Sequence, residues 1–194
     1  MRANKFTNKD LNRITKRVLN EAYIDSFSNE IYMAVYDILN KIINISSYSQ
    51  QLTMLKKNIK SLDWANDETN VYRYIGTLFI DPIKDILFSL VEISTSIYSF
   101  EHKNIYEGKY LETLLRLVTN VQKTAGSLVK CSHILANKIV DNYINFQNNI
   151  LHIYAGQCDK IFNKLKVAIS DLHDFLEREL KKSSYDFYDL KKMN

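Results

Sequence analysis

Cys131, His133, His152 and Cys158 carry the strongest inherent chemistry in this chain, two thiols and two imidazoles, the donors from which tetrahedral zinc sites are built. Their spacing does not suit that task. Cys131 and His133 are two apart, which on a helix turns them about 200° from one another, and Cys158 lies six residues beyond His152. No CxxC, HExxH or ExxH pairing occurs, so no metal is expected. Cys131 and Cys158 remain candidates for a disulfide, though two cysteines do not make an extracellular framework and buried free thiols are common.

Catalytic groupings are equally scarce. There is no GxSxG, no P-loop and no GxGxxG, and the four glycines are isolated. His173 sits among Asp171, Asp174, Glu177 and Glu179, a pattern that suits a solvated helix face, and no nucleophile stands beside it. Asp174 and Arg178 are spaced for an i,i+4 ion pair. The expectation is a protein without enzymatic activity and without a cofactor.

Two other groups of residues suit recognition instead. Lys9, Arg13, Lys16 and Arg17 lie in a segment, residues 1–20, that holds six basic residues against Asp10 alone. Such a stripe could meet phosphate, anionic lipid or an acidic protein, or simply be the polar face of an amphipathic helix. Near the C-terminus, Tyr185, Phe187 and Tyr188 in "SSYDFYDLKKMN" either fold back over a core edge or contact a ligand. Trp64, in the loop "DWANDET", faces the same choice.

The elements that would position these residues are helical. One Pro and four Gly in 194 residues leave a sheet protein without its turns. Ile, Lys, Asn and Tyr, all with A/T-rich codons, total 74 residues against eight Ala, which points to an AT-rich genome. Intrinsic helix propensity is therefore weak, and burial of apolar stripes must hold the helices.

A first helix is expected over 7–25, and Ser28 is expected to cap a second that carries Ile31, Val35, Ile38, Ile42 and Ile45. Ser-rich "ISSYSQ" breaks that face before Leu52, Leu55, Ile59 and Leu62 continue it. A short helix over 69–79 precedes Asp81-Pro82, read as a cap followed by the first helical residue. Leu111, Leu114, Leu115, Val118 and Val121 begin the C-terminal helices, which should bend or break near Gly126 and Gly156. Tyr143, Phe146, Ile150 and Ile153 share one face of an uncharged run of seventeen residues between Asp141 and Asp159, read as an inner helix. The segments 42–55 and 86–100 are similarly bare and are expected in the same inner layer.

The chain thus reads as an all-α, single-domain bundle of five to seven amphipathic helices, with 1–6 and 183–194 as flexible or packed-back tails. No eighteen-residue apolar run is present for a transmembrane helix. The function expected is binding of another macromolecule, first a protein, alternatively a nucleic acid held by the basic N-terminal helix. Localisation turns on whether a signal or lipidation peptide lies upstream: surface-anchored if so, cytoplasmic if not. In overall character the chain resembles the small helical surface proteins of host-associated spirochaetes and parasites. That resemblance rests on no motif, and it implies a host-protein ligand without designating any residue.

Overall fold

A computed structural model describes the backbone of residues 8–58, 68–103, 108–141 and 149–192, and the side chains of 26–57, 73–100, 109–141 and 149–181. Six α-helices make up the described residues: α1 (Asn8–Ile43), α2 (Tyr48–Asn58), α3 (Glu68–Phe79), α4 (Asp81–Lys103), α5 (Gly108–Asp141) and α6 (Asn149–Lys192). The four long helices form a ring in which α5 packs on α4 and α6, and α1 closes the circuit against α6 and α4. The short α2 packs on α6 and α3, and α3 on α5 and α4. The expected helical bundle is what the chain forms.

Apolar residues three and four apart supply the cohesion. Ile31, Val35, Ile38 and Ile42 of α1 meet Leu165, Ile169, Leu172 and Leu176 of α6 and Leu114, Val118, Val121 and Leu128 of α5 within one contiguous buried cluster. Each fully buried Leu or Ile contributes about 1.5–3 kcal/mol relative to exposure, which offsets the weak propensity of this Asn- and Ile-rich chain.

Several local expectations need correction. α1 does not stop near 25: Ser28 is buried within it, and its Oγ lies 2.9 Å from the Tyr110 hydroxyl of α5. A serine that reads as a cap is here a polar contact between helices. At the α3–α4 corner the Ile80 carbonyl accepts the Lys84 N–H at 3.1 Å, so Ile80 occupies the cap position and Asp81 is the first helical residue. α5 and α6 run through Gly126 and Gly156 without interruption, and the described helices separate between Asp141 and Asn149. A glycine weakens a helix by only about 1 kcal/mol, which burial along the flanking turns outweighs.

The uncharged run was also phased wrongly. Tyr143 and Phe146 lie outside the described residues, while Ile150 and Ile153 are 38% and 60% exposed. The buried line of α6 is Leu151, Ala155, Cys158, Phe162 and Leu165. Ala155 and Cys158 are weakly hydrophobic by type, yet they are the positions where α6 turns towards its neighbours. Nor is 86–100 enclosed on several sides: Ile86, Leu90, Ile93 and Ile97 are buried, but Phe88, Val91 and Tyr98 on the other face are 67%, 49% and 49% exposed.

The start of α2 shows how the ends of the bundle are tied. Ser47 and Gln50 form a capping box, with the Gln50 N–H donating to Ser47 Oγ at 3.3 Å and the Ser47 N–H donating to Gln50 Oε1 at 3.2 Å. The two remaining free donors go to another helix. Asp159 of α6 accepts the Tyr48 N–H at 2.6 Å on Oδ1, and on Oδ2 the Ser49 N–H at 3.2 Å and the Ser49 hydroxyl at 2.5 Å. Every N–H of the first turn is satisfied, and the carboxylate sits where the helix dipole favours negative charge. Tyr48 itself is buried between Phe79 and Phe162, its hydroxyl 3.1 Å from the Phe79 carbonyl and 2.7 Å from Ser132 Oγ.

Candidate interaction surfaces

Two of the three groups singled out for recognition lie on helical segments at one end of the bundle. Phe27 of α1 stacks on Phe100 of α4 at 3.9 Å between ring centroids, and Tyr110 of α5 stacks on Phe175 of α6 at 5.7 Å. With the Ser28–Tyr110 contact, these pairs put Phe27, Phe100, Tyr110 and Phe175 at one level, where α4 ends and α5 begins. α1 and α6 are antiparallel, since Tyr32 meets His173 and, further along, Tyr48 meets Asp159. Beyond that level α1 continues towards its N-terminus to Asn8 and α6 towards its C-terminus to Lys192. Lys9, Arg13, Lys16 and Arg17 are on the first extension, and Tyr185, Phe187 and Tyr188 on the second. Their side chains, and Trp64 altogether, lie outside the described residues. That the two helical segments share an end follows from the antiparallel run of α1 and α6, which no local pattern in the sequence reveals.

Cys131 and Cys158 are buried free thiols on the facing helices α5 and α6. Burial and the neighbouring Cys131 push the Cys158 thiol far above its ordinary pKa, and burial raises the Tyr48 phenol in the same way, partly offset by its hydrogen bond to Ser132. Neither group is prepared for nucleophilic work, because thiol reactivity requires the thiolate. A disulfide-forming aromatic thiol reagent should therefore leave the native chain untouched at pH 8 while titrating both cysteines in denaturant; rapid native reaction would contradict this burial. Both groups are neutral in the fold and ionise more readily when unfolded. Their contribution is thus complete below the ordinary thiol pKa of about 8.5 and declines as pH rises above it. Urea unfolding midpoints should fall between pH 8 and pH 10.

His133 and His152 do not join the cysteines: His152 is exposed, with Nε2 2.7 Å from Lys56 Nζ. Among the described residues, the group with metal-binding donors close together is instead His173, Asp174 and Glu177, within 4.8 Å of one another. Glu177 is engaged by Lys181 at 2.7 Å, which lowers its pKa, and the His173 ring lies against Tyr32 and Tyr36. The expected Asp174–Arg178 ion pair is replaced by a hydrogen bond from Arg178 Nε to the Asp174 backbone carbonyl at 3.1 Å. Beside it, a groove of about 700 Å³ between α5 and α6 is lined by residues including Arg116, Arg178, Asp171 and Asp174. Glu177 also lines it, so two cations and three carboxylates are interleaved there.

The fold defines the chain as an all-α bundle, and no described helix is long and apolar enough to cross a membrane. Comparison with known proteins finds no family model, no curated sequence and no solved structure that matches it.

Proposed function

We propose that this chain is a non-enzymatic binding protein that engages another macromolecule through the bundle end formed by residues 8–26 of α1 and 177–192 of α6. One observation carries the reading: the ring of four helices is closed by aromatic stacking at the level of Phe27, Phe100, Tyr110 and Phe175, yet two helices continue past it. At 1.5 Å per residue those continuations are roughly 28 Å and 24 Å long, more than closing the core requires. The catalytic residues of an enzyme need a pocket that excludes water, and the groove between α5 and α6 is an open cleft lined by two cations and three carboxylates. A host protein is one partner class compatible with this end, and a nucleic acid is the other.

The test presents the full-length chain to purified extracellular host proteins, acidic proteins and oligonucleotides. It is run beside a variant with Lys9, Arg13, Lys16 and Arg17 changed to Gln. A ligand held by the parent, and held at least ten-fold more weakly by a variant of unchanged helicity, supports the reading. If neither the parent binds any of them nor the variant differs, the reading is wrong.

A further inference from the structure

We infer that Cys131 and Cys158 are the halves of a disulfide that closes between α5 and α6 during folding when a disulfide oxidant is present. The finished fold then preserves whichever redox state it was folded in. Both statements are independent of the binding role proposed above.

Placement is the first ground. Tyr48 spans the two helices, its hydroxyl 2.7 Å from Ser132 Oγ on α5 and its N–H donating to Asp159 Oδ1 on α6 at 2.6 Å. Cys131 and Cys158 immediately precede Ser132 and Asp159, so one residue ties both thiols to the same level of the bundle. Helical register turns them towards each other. Cys131 stands eighteen residues, five full turns, beyond Thr113, which lines the groove between α5 and α6, and so faces α6. Cys158 lies between Ala155 and Phe162 in the buried line of α6. Small neighbours favour a close approach, since Ser132 and Ala136 of α5 and Ala155 of α6 are all buried beside the pair. Helix axes about 8–10 Å apart, with Cα atoms on cylinders of about 2.3 Å radius, leave facing Cα atoms roughly 4–6 Å apart. A disulfide spans about 4.4–6.8 Å.

Burial is the second ground, and it sets the timing. In the finished fold Cys158 is 0% and Cys131 9% exposed, which shuts an oxidant out. Burial, reinforced by the neighbouring thiol, also keeps Cys158 protonated, and exchange requires a thiolate. Before α6 docks, both are ordinary thiols with a pKa of about 8.5. One thiolate then attacks the S–S bond of the oxidant, forming a mixed disulfide and expelling one thiol. The other attacks the protein sulfur of that mixed disulfide, forming the Cys131–Cys158 bond and expelling the second thiol. The cysteines lose two electrons and two protons in all, and the oxidant becomes two thiols.

The test refolds the full-length chain, reduced and denatured in urea, at pH 8 with glutathione disulfide as oxidant. A folded, reduced sample receives the same oxidant in parallel. The refolded chain should be monomeric and lighter by two hydrogens, and tryptic digestion without reduction should yield peptides 131–138 and 139–160 joined. The folded sample should stay reduced over the same period. Closing a loop of this length should lower the unfolding constant by about two to three orders of magnitude, read as a higher urea midpoint than that of the reduced chain. Cys131→Ser and Cys158→Ser should each gain nothing in midpoint from the oxidant. Glutathione adducts or cross-linked dimers of the parent, in place of the internal link, overturn the pairing, as does a link that lowers the midpoint or the helicity. Rapid oxidation of the folded sample overturns the protection by burial.

Discussion

Changing Asp159 to Ala should cost about 2–3 kcal/mol, large for a half-buried residue on the outer part of a helix. Its carboxylate accepts both orphaned N–H groups of the first turn of α2 and the Ser49 hydroxyl. Removing a cap acceptor alone costs roughly 1 kcal/mol, and charge-assisted bonds are about twice as strong as neutral ones. Asp159→Asn retains a side-chain oxygen and should cost about 1 kcal/mol. The distinguishing measurement is amide exchange. Protection at Tyr48 and Ser49 should fall in the Ala variant before that of α5. A loss spread evenly over all helices would mean that Asp159 acts through packing and not through the cap.

Tyr48→Ala should be more damaging still, by about 4–5 kcal/mol. Truncating a large buried aromatic typically costs about 3–5 kcal/mol through lost burial and the cavity left behind. Here the Phe79 carbonyl and Ser132 Oγ also lose a hydrogen-bond partner. Tyr48→Phe removes that partner alone and should cost about 1–2 kcal/mol. Chemical denaturation of the two variants separates packing from hydrogen bonding at one site. Near-equal losses would show that the hydroxyl, not the ring, holds α2 and α3 to α5.

The contrast between these two residues also shows what the sequence made legible. Stripes such as Ile31–Val35–Ile38–Ile42 and Leu111–Leu114–Val118–Val121 were readable because large aliphatic side chains repeat with the helix. A bundle of five to seven helices and its break near "ISSYSQ" follow from them, though the expected breaks at Gly126 and Gly156 do not occur. The Ser47–Gln50 capping box was equally local and could have been found, since the S-x-x-Q spacing is a known start signal. Asp159 could not: it is an ordinary acidic residue until folding sets it against Tyr48, 111 positions away. The phase of α6 failed for a subtler reason. Ile150 and Ile153 outweigh Ala155 and Cys158 in hydrophobicity, but small residues mark where helices approach most closely. For the candidate binding end, residue types were visible and their convergence was not. That convergence depends on α1 and α6 running in opposite directions, a property of topology.

The tertiary cap has a consequence for how the protein comes to be made. The first two helices leave the ribosome long before Asp159 does, and a helix the length of α2 is marginal on its own. Until α6 is synthesised, the corner after Ile43 has no acceptor for two of its amides and no wall against Tyr48. The nascent chain must therefore carry α1 and α2 with that corner unfinished until α6 has been made. Completion of the fold waits on α6 to emerge.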